Sequence, residues 1–176
     1  MCGCNKAKAA AAAAARNRQA VGGSVEVESF VAVPMAATLE TVDTSVWGPP
    51  LWKILHIAAY RTNSRRVVPL WRMVLGSMTS GLPCPDCSEH YRRWYNGRPL
   101  RIGLMPNMFR GAIIGWLNDL HNDVNQRTGK DRWSPQQVAA TYGGESIATA
   151  KALVDSLNGI IGDNLSKNLS ALLRAL

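Results

Sequence analysis

The sequence predicts an all-α protein: a four-helix bundle with a short fifth helix, an extended N-terminal arm and extra amphipathic helices at the C-terminus. Three observations carry this. From Trp47 onward, apolar residues recur every three or four positions. The periodic stretches are separated by Gly, Pro and Asn clusters. The 176 residues, 47% hydrophobic and 18% charged, also supply enough apolar surface for one globular core. This composition excludes collagen-like, wholly disordered and disulfide-scaffold proteins. No run of about 20 apolar residues occurs, so no membrane span is expected. The chain divides into an arm at 1–45, a helical domain at 46–142 and a helical extension at 143–176.

The arm begins Cys2-Gly3-Cys4, followed by Lys6, Lys8, seven alanines at 9–15, Arg16 and Arg18, with no acidic residue before Glu26. Its composition is similar to that of a mitochondrial presequence. Gly3 is one position too late for myristoylation. Seven alanines are too few to nucleate a lasting helix alone. Residues 24–34 alternate apolar and polar, as one strand or an extended linker would.

The first helix is expected to open at Gly48-Pro49-Pro50, with Trp52, Leu55, His56, Ala59 and Tyr60 on one face. The second is expected at 69–80 with Leu70, Met73, Val74, Ser77 and Met78 inward, ended by Gly81-Leu82-Pro83. The third starts at Cys84-Pro85-Asp86-Cys87 and stops at Asn96-Gly97. The longest, at 107–128, has Phe109, Ile113, Trp116 or Leu117, Leu120, His121 and Val124 at core spacing and ends at Gly129. Ser134-Pro135 caps a short fifth helix ending at Tyr142. The stretch 145–176 is apolar at helical spacing and broken near Gly159 to Gly162; it can wrap the bundle, form a dimer surface or dock elsewhere.

The net charge of +8 lies entirely between Lys53 and Arg132, which hold thirteen basic and five acidic residues. That region suits a phosphate-bearing cofactor, an acidic partner surface or, equally, a solvated basic face that only aids solubility. No nucleic-acid reader motif appears, so no nucleic-acid partner is expected.

A Cys-x-x-Cys turn opening a helix directs its sulfurs toward the positive helix end, which favours thiolate and rapid disulfide exchange. The same spacing is half of a zinc site, with His90 as a third ligand and a fourth from His56, His121 or the Cys2–Cys4 segment. Two core cysteines would be a third reading. No second Cys-x-x-Cys exists, and the expected site holds no metal. On the fourth helix His121 and Asn125 are four apart, with Asn122 between them and Lys130 just past the end, an arrangement suited to a polar ligand carrying phosphate.

Three ordered blocks are Trp47-Gly-Pro-x-Leu-Trp52-x-x-Leu-His56-x-Ala-Ala-Tyr60, Cys84-x-x-Cys87, and His121-Asn122-x-Val124-Asn125-x-x-x-Gly129-Lys130. With these the chain resembles the flavin-linked sulfhydryl oxidases of the Erv/ALR group over 47–142, and among them the shorter members of large cytoplasmic DNA viruses. The resemblance implies that 46–142 is an FAD-binding domain. Trp52, His56 and Tyr60 would line one side of FAD, and His121, Asn122, Val124, Asn125 and Lys130 the other. It implies that Cys87 lies against the flavin, that Cys84 is the exposed partner meeting an incoming dithiol, and that oxygen takes the electrons to give hydrogen peroxide. Cys2 and Cys4 would form a shuttle pair on a mobile tail. The tail of about 43 residues reaches roughly 35 to 40 Å. With all four cysteines so used, none remains for a further disulfide.

The expected partners are protein dithiols, molecular oxygen, a second copy in a homodimer, and virion or capsid proteins through the arm and the C-terminal helices. A viral member would act in host cytoplasm or virion, with the mitochondrial intermembrane space as the second expectation. A different function class, a virion structural or minor capsid protein on the same fold, would put its working parts in the arm and the extension.

Overall fold

The computed structural model describes residues 42–100 and 106–176. The Cys2–Cys4 pair, the alanine run and the candidate strand at 24–34 lie outside them. The described residues are helical: α1 (Thr44–Arg61), α2 (Val68–Gly81), α3 (Pro85–Gly97), α4 (Pro106–Arg127), α5 (Pro135–Tyr142), α6 (Ile147–Ser156) and α7 (Asp163–Ala175), with a 3-10 turn at Arg65–Val67 before α2. Among them no helix is long and apolar enough to cross a membrane.

α1 starts one turn before the expected Gly48-Pro49-Pro50, and both prolines lie inside it. Asp43 Oδ1 accepts from the Ser45 N–H at 2.8 Å, which caps the earlier start. The prolines deprive the carbonyls of Ser45 and Val46 of helical partners. Both residues are exposed, so water replaces those bonds at modest cost. Beyond the prolines α1 buries Leu51 and every residue from Ile54 to Ala59, because it packs against α4, α5 and α6 at once.

α2 has a different inward face from the expected one. Trp71, Val74, Leu75 and Met78 are buried, whereas Met73 is 52% exposed and Leu70 only partly covered. The cause is tertiary: α2 is held between α3 and α7, and the Trp71 Nε1–H donates to Thr62 Oγ1 at the end of α1, rotating the helix so that Trp71 leads. α4 and α5 match expectation closely. Phe109, Ile113, Trp116, Leu117 and Leu120 are buried, and Ser134 and Gln137 form a reciprocal capping box.

The stretch beyond 143 is part of the core. α6 lies on α1 and α7 on α2, and Val154, Leu157, Ile161, Leu165, Leu169, Leu172 and Leu173 join the same apolar cluster as Ile54, Trp71 and Phe109. Burying each such side chain contributes about 1.5–3 kcal/mol. Gly159, at φ +76°, makes the left-handed turn that frees α7 to double back.

Candidate active site

α1 and α4 bring His56 and His121 together, 65 residues apart in sequence, with His56 Nε2 3.2 Å from His121 Nδ1. Flat rings enclose the pair. Trp52, one turn before His56, stacks on His121 with centroids 4.2 Å apart and planes 8° from parallel. Tyr142, at the end of α5, stacks on His56 at 4.7 Å and 4°. Trp133 lies beside both His121 and Tyr142. His56 is fully buried, and its Nδ1 has no hydrogen-bond partner. Burial, and then the neighbouring His121, lower the His56 pKa to about 3. Burial and then the Lys130 ammonium lower that of His121 to about 4. Both rings are therefore neutral at pH 7. Together the cluster offers planar, uncharged surfaces, one unpaired ring nitrogen, and a cation at its edge.

Asn122 and Asn125, expected to face a ligand, bond to the loop that follows α4. Asn122 accepts the Trp133 N–H at 2.7 Å and donates to the Trp133 carbonyl at 2.9 Å. Asn125 Nδ2 donates to the Asp131 carbonyl at 3.1 Å, and the Lys130 N–H bonds back to the Asn125 carbonyl at 2.8 Å. The returning loop carries backbone polar groups that α4 must satisfy, and buried side-chain amides do this. Lys130 is exposed, Tyr60 and Val124 are half-buried, and burial raises the Tyr60 phenol pKa.

Cys84 and Cys87 form a disulfide across the start of α3. Cys84 is the N-cap, and its sulfur accepts from the Cys87 N–H at 3.2 Å. Pro85 occupies the first turn, where no N–H is needed. The expectation that Cys84 is the exposed sulfur is corrected: the residue is 7% exposed and Cys87 is half-buried. The cap position turns Cys84 back toward the helix and into the apolar cluster, whereas Cys87 projects from the first turn.

His90, weighed as a third ligand beside the cysteines, bonds to another helix. Its Nε2 lies 2.9 Å from Asp123 Oδ2 on α4, and among the described residues no group of three His, Cys, Asp or Glu is arranged around a metal position. Burial and Arg127 lower the His90 pKa, while Asp123 acts in the opposite direction. His90 is one turn beyond Cys87 on α3, so the two residues are neighbours along the helix surface. Further along, Trp94 meets Trp116 edge-on at 4.6 Å.

The sequence reading missed Tyr142 and Trp133 as site residues, and His90 and Asp123 as the bridge. For Tyr142 a signal existed, since it lies four residues after Val138 on the buried face of α5. Trp133 has none, because its ring is placed by its backbone bonds to Asn122. A separate cavity of about 330 Å³, lined by Arg72, Leu75, Tyr95, Asn96, Pro99 and Leu100, lies at the other end of α3 and shares none of these residues.

A family model described as the Erv1 / Alr family matches residues 49–143, from the α1 prolines to just past α5. Among curated proteins, the FAD-linked sulfhydryl oxidase ERV1 of Oryza sativa subsp. japonica is 25% identical over 117 residues, covering 65% of this chain. The chain spans 58% of that relative's length. No solved structure matches.

Proposed function

This chain belongs to the Erv1/Alr family, and on that premise we propose that it is an FAD-dependent sulfhydryl oxidase making disulfides in protein clients through Cys84 and Cys87. The observation that carries the reading is a disulfide at the N-terminus of α3, a helix that the His90–Asp123 bridge ties to α4, which carries His121 of the His56–His121 pair. The cluster's chemistry suits the cofactor: neutral aromatic rings match a flat heteroaromatic system, the unpaired His56 Nδ1 would meet a polar ring edge, and Lys130 would meet a phosphate. Bound FAD would supply a two-electron acceptor that oxygen reoxidises, giving hydrogen peroxide.

The chain's own residues do the rest. A client thiolate attacks one sulfur of the pair and displaces the other as thiolate; the second client thiol then closes the client disulfide and leaves Cys84 and Cys87 as a dithiol. Two electrons and two protons have moved. The free N–H groups of the first turn of α3 stabilise the displaced thiolate, as the Cys87 N–H bond to Cys84 illustrates. Trp52, His56, Tyr60 and His121 bind and exclude water, while Asn122 and Asn125 hold the loop that brings Trp133 and Lys130 to the site. Cys87 is the sulfur on the cofactor's side. The Cys2–Cys4 pair serves as the shuttle from bulky clients.

The purified protein should be yellow and should consume oxygen with dithiothreitol. Cys87→Ser should retain the colour and lose the oxygen uptake. A colourless protein that refuses added FAD would end the reading. For the shuttle, Cys2→Ser with Cys4→Ser should spare dithiothreitol oxidation and cripple that of a reduced protein; equal loss on both removes the shuttle.

A further inference from the structure

The helices α6 and α7 lie beyond 49–143, the part covered by the family match, yet their connecting turn touches the segment that leads into the cysteines. Gly162, the N-cap of α7, donates its N–H to the carbonyl of Gly81, the last residue of α2, at 2.8 Å. The backbones are so close that a Cβ on Gly162 would lie 3.0 Å from the Gly81 Cα, and a Cβ on Gly81 would lie 2.8 Å from Leu165 Cβ. Ordinary carbon contacts are about 3.5–4.0 Å. Gly162 has φ −59°, open to any residue, so glycine is needed there for the approach and not for the backbone angle.

Only Leu82 and Pro83 separate Gly81 from Cys84, so the contact acts within roughly 10 Å of the disulfide. The far end of this turn is also held. Ser88 Oγ donates to the Leu82 carbonyl at 3.3 Å, and the Ser88 N–H to the Cys84 carbonyl at 2.9 Å. The α6–α7 turn has its own brace, in which Ser166 Oγ donates to Asn158 Oδ1 at 2.6 Å, with Ile161 and Leu165 buried beside it. The redox turn is thus clamped between the first turn of α3 and the C-terminal helices.

We propose that the α6–α7 turn is a positioning element for the Cys84–Cys87 pair: the Gly81–Gly162 contact holds the redox turn in the shape that keeps the two sulfurs together, and so sets how readily the pair is reduced. A turn held in that shape favours the disulfide over the dithiol, and releasing it makes reduction easier. The inference rests on Cys84 and Cys87 being the redox centre, and its readout needs no turnover.

Full-length protein is equilibrated anaerobically with mixtures of reduced and oxidised glutathione, quenched in acid and alkylated, and the state of the peptide carrying Cys84 and Cys87 is read by mass. Each reduction consumes two glutathione thiols and releases one glutathione disulfide. Gly162→Ala, which forces the backbones apart, should raise the equilibrium constant for reduction about fivefold, or about 20 mV in potential. Ser166→Ala, which loosens the turn without crowding it, should raise the constant about twofold. Leu169→Ala, elsewhere on α7, should lower the melting temperature at least as much and leave the constant unchanged. If Gly162→Ala does not fold, Ser166→Ala against Leu169→Ala decides. An unchanged or lowered constant in the turn variants, or a constant that follows stability in all three, overturns the proposal. A wild-type protein that exchanges with glutathione and consumes no oxygen overturns the oxidase reading and leaves this one standing.

Discussion

α4 and α7 both bury one face of an amphipathic helix, with different materials. α7 buries Leu165, Leu169, Leu172 and Leu173 against α2. The C-terminal half of α4 buries Asn118, His121, Asn122 and Asn125. Leucine needs only to leave water, and any well-shaped apolar surface accepts it. A buried amide or imidazole must find its partner at one distance and angle, or its desolvation goes uncompensated. The α4 face therefore specifies a geometry where the α7 face specifies only a contact, and the candidate site lies on the former.

The largest expected effect that separates the two faces is acid. Both histidines of the cluster have folded pKa values depressed below the ordinary 6.5, to about 3 and about 4. The unfolded chain binds these protons first, so stability is complete above about pH 6.5 and falls as the pH drops toward 4. At about 1.4 kcal/mol per unit and group, the loss is of order 5 kcal/mol. Hydrogen exchange at pH 4.5 should show α4 and the 128–134 loop opening while the α2–α7 contact persists; equal loss of protection in both would break the contrast. Next comes Leu169→Ala, which should cost about 2–5 kcal/mol in urea unfolding and leave FAD affinity of the folded fraction unchanged. Asn122→Ala should reverse that pattern. It strands the Trp133 N–H and carbonyl, costs about 1–3 kcal/mol, and should weaken FAD binding at least tenfold in a fluorescence titration by releasing Trp133. Unchanged FAD affinity would show that the loop is not part of the site. The smallest is Ser134→Ala, which breaks the α5 capping box at a cost of about 1 kcal/mol. It should slightly loosen Tyr142 from His56, measurable as a small drop in melting temperature.

Much of the fold was legible because its causes are local. The α5 cap, the Gly129 stop, the α4 core positions and the break at Gly159 each depend on residues within a turn or two. Two local readings failed, one to a neighbouring cap and one to a bond with the preceding helix. Asp43 allowed α1 to run through its prolines, and the Trp71 bond to Thr62 set the phase of α2, leaving Met73 outside. In the candidate site, residue type and spacing marked the cysteine pair and His121, whereas His56 entered as a cofactor residue only through the family resemblance. The tasks of Asn122 and Asn125 were not legible, since a sequence does not say which backbone atoms a folded loop will bring to an amide.

By itself, then, the sequence determined that the described residues form helices, where most of those helices end, and that a cysteine pair opens α3, because periodicity and capping act over a few residues. Tertiary structure alone decided that His56 meets His121, that Tyr142 and Trp133 complete the cluster, that Cys84 is the more covered sulfur, and that Gly162 reaches Gly81. Those outcomes depend on how helices far apart in the chain settle against one another, which only the packing of the whole core determines.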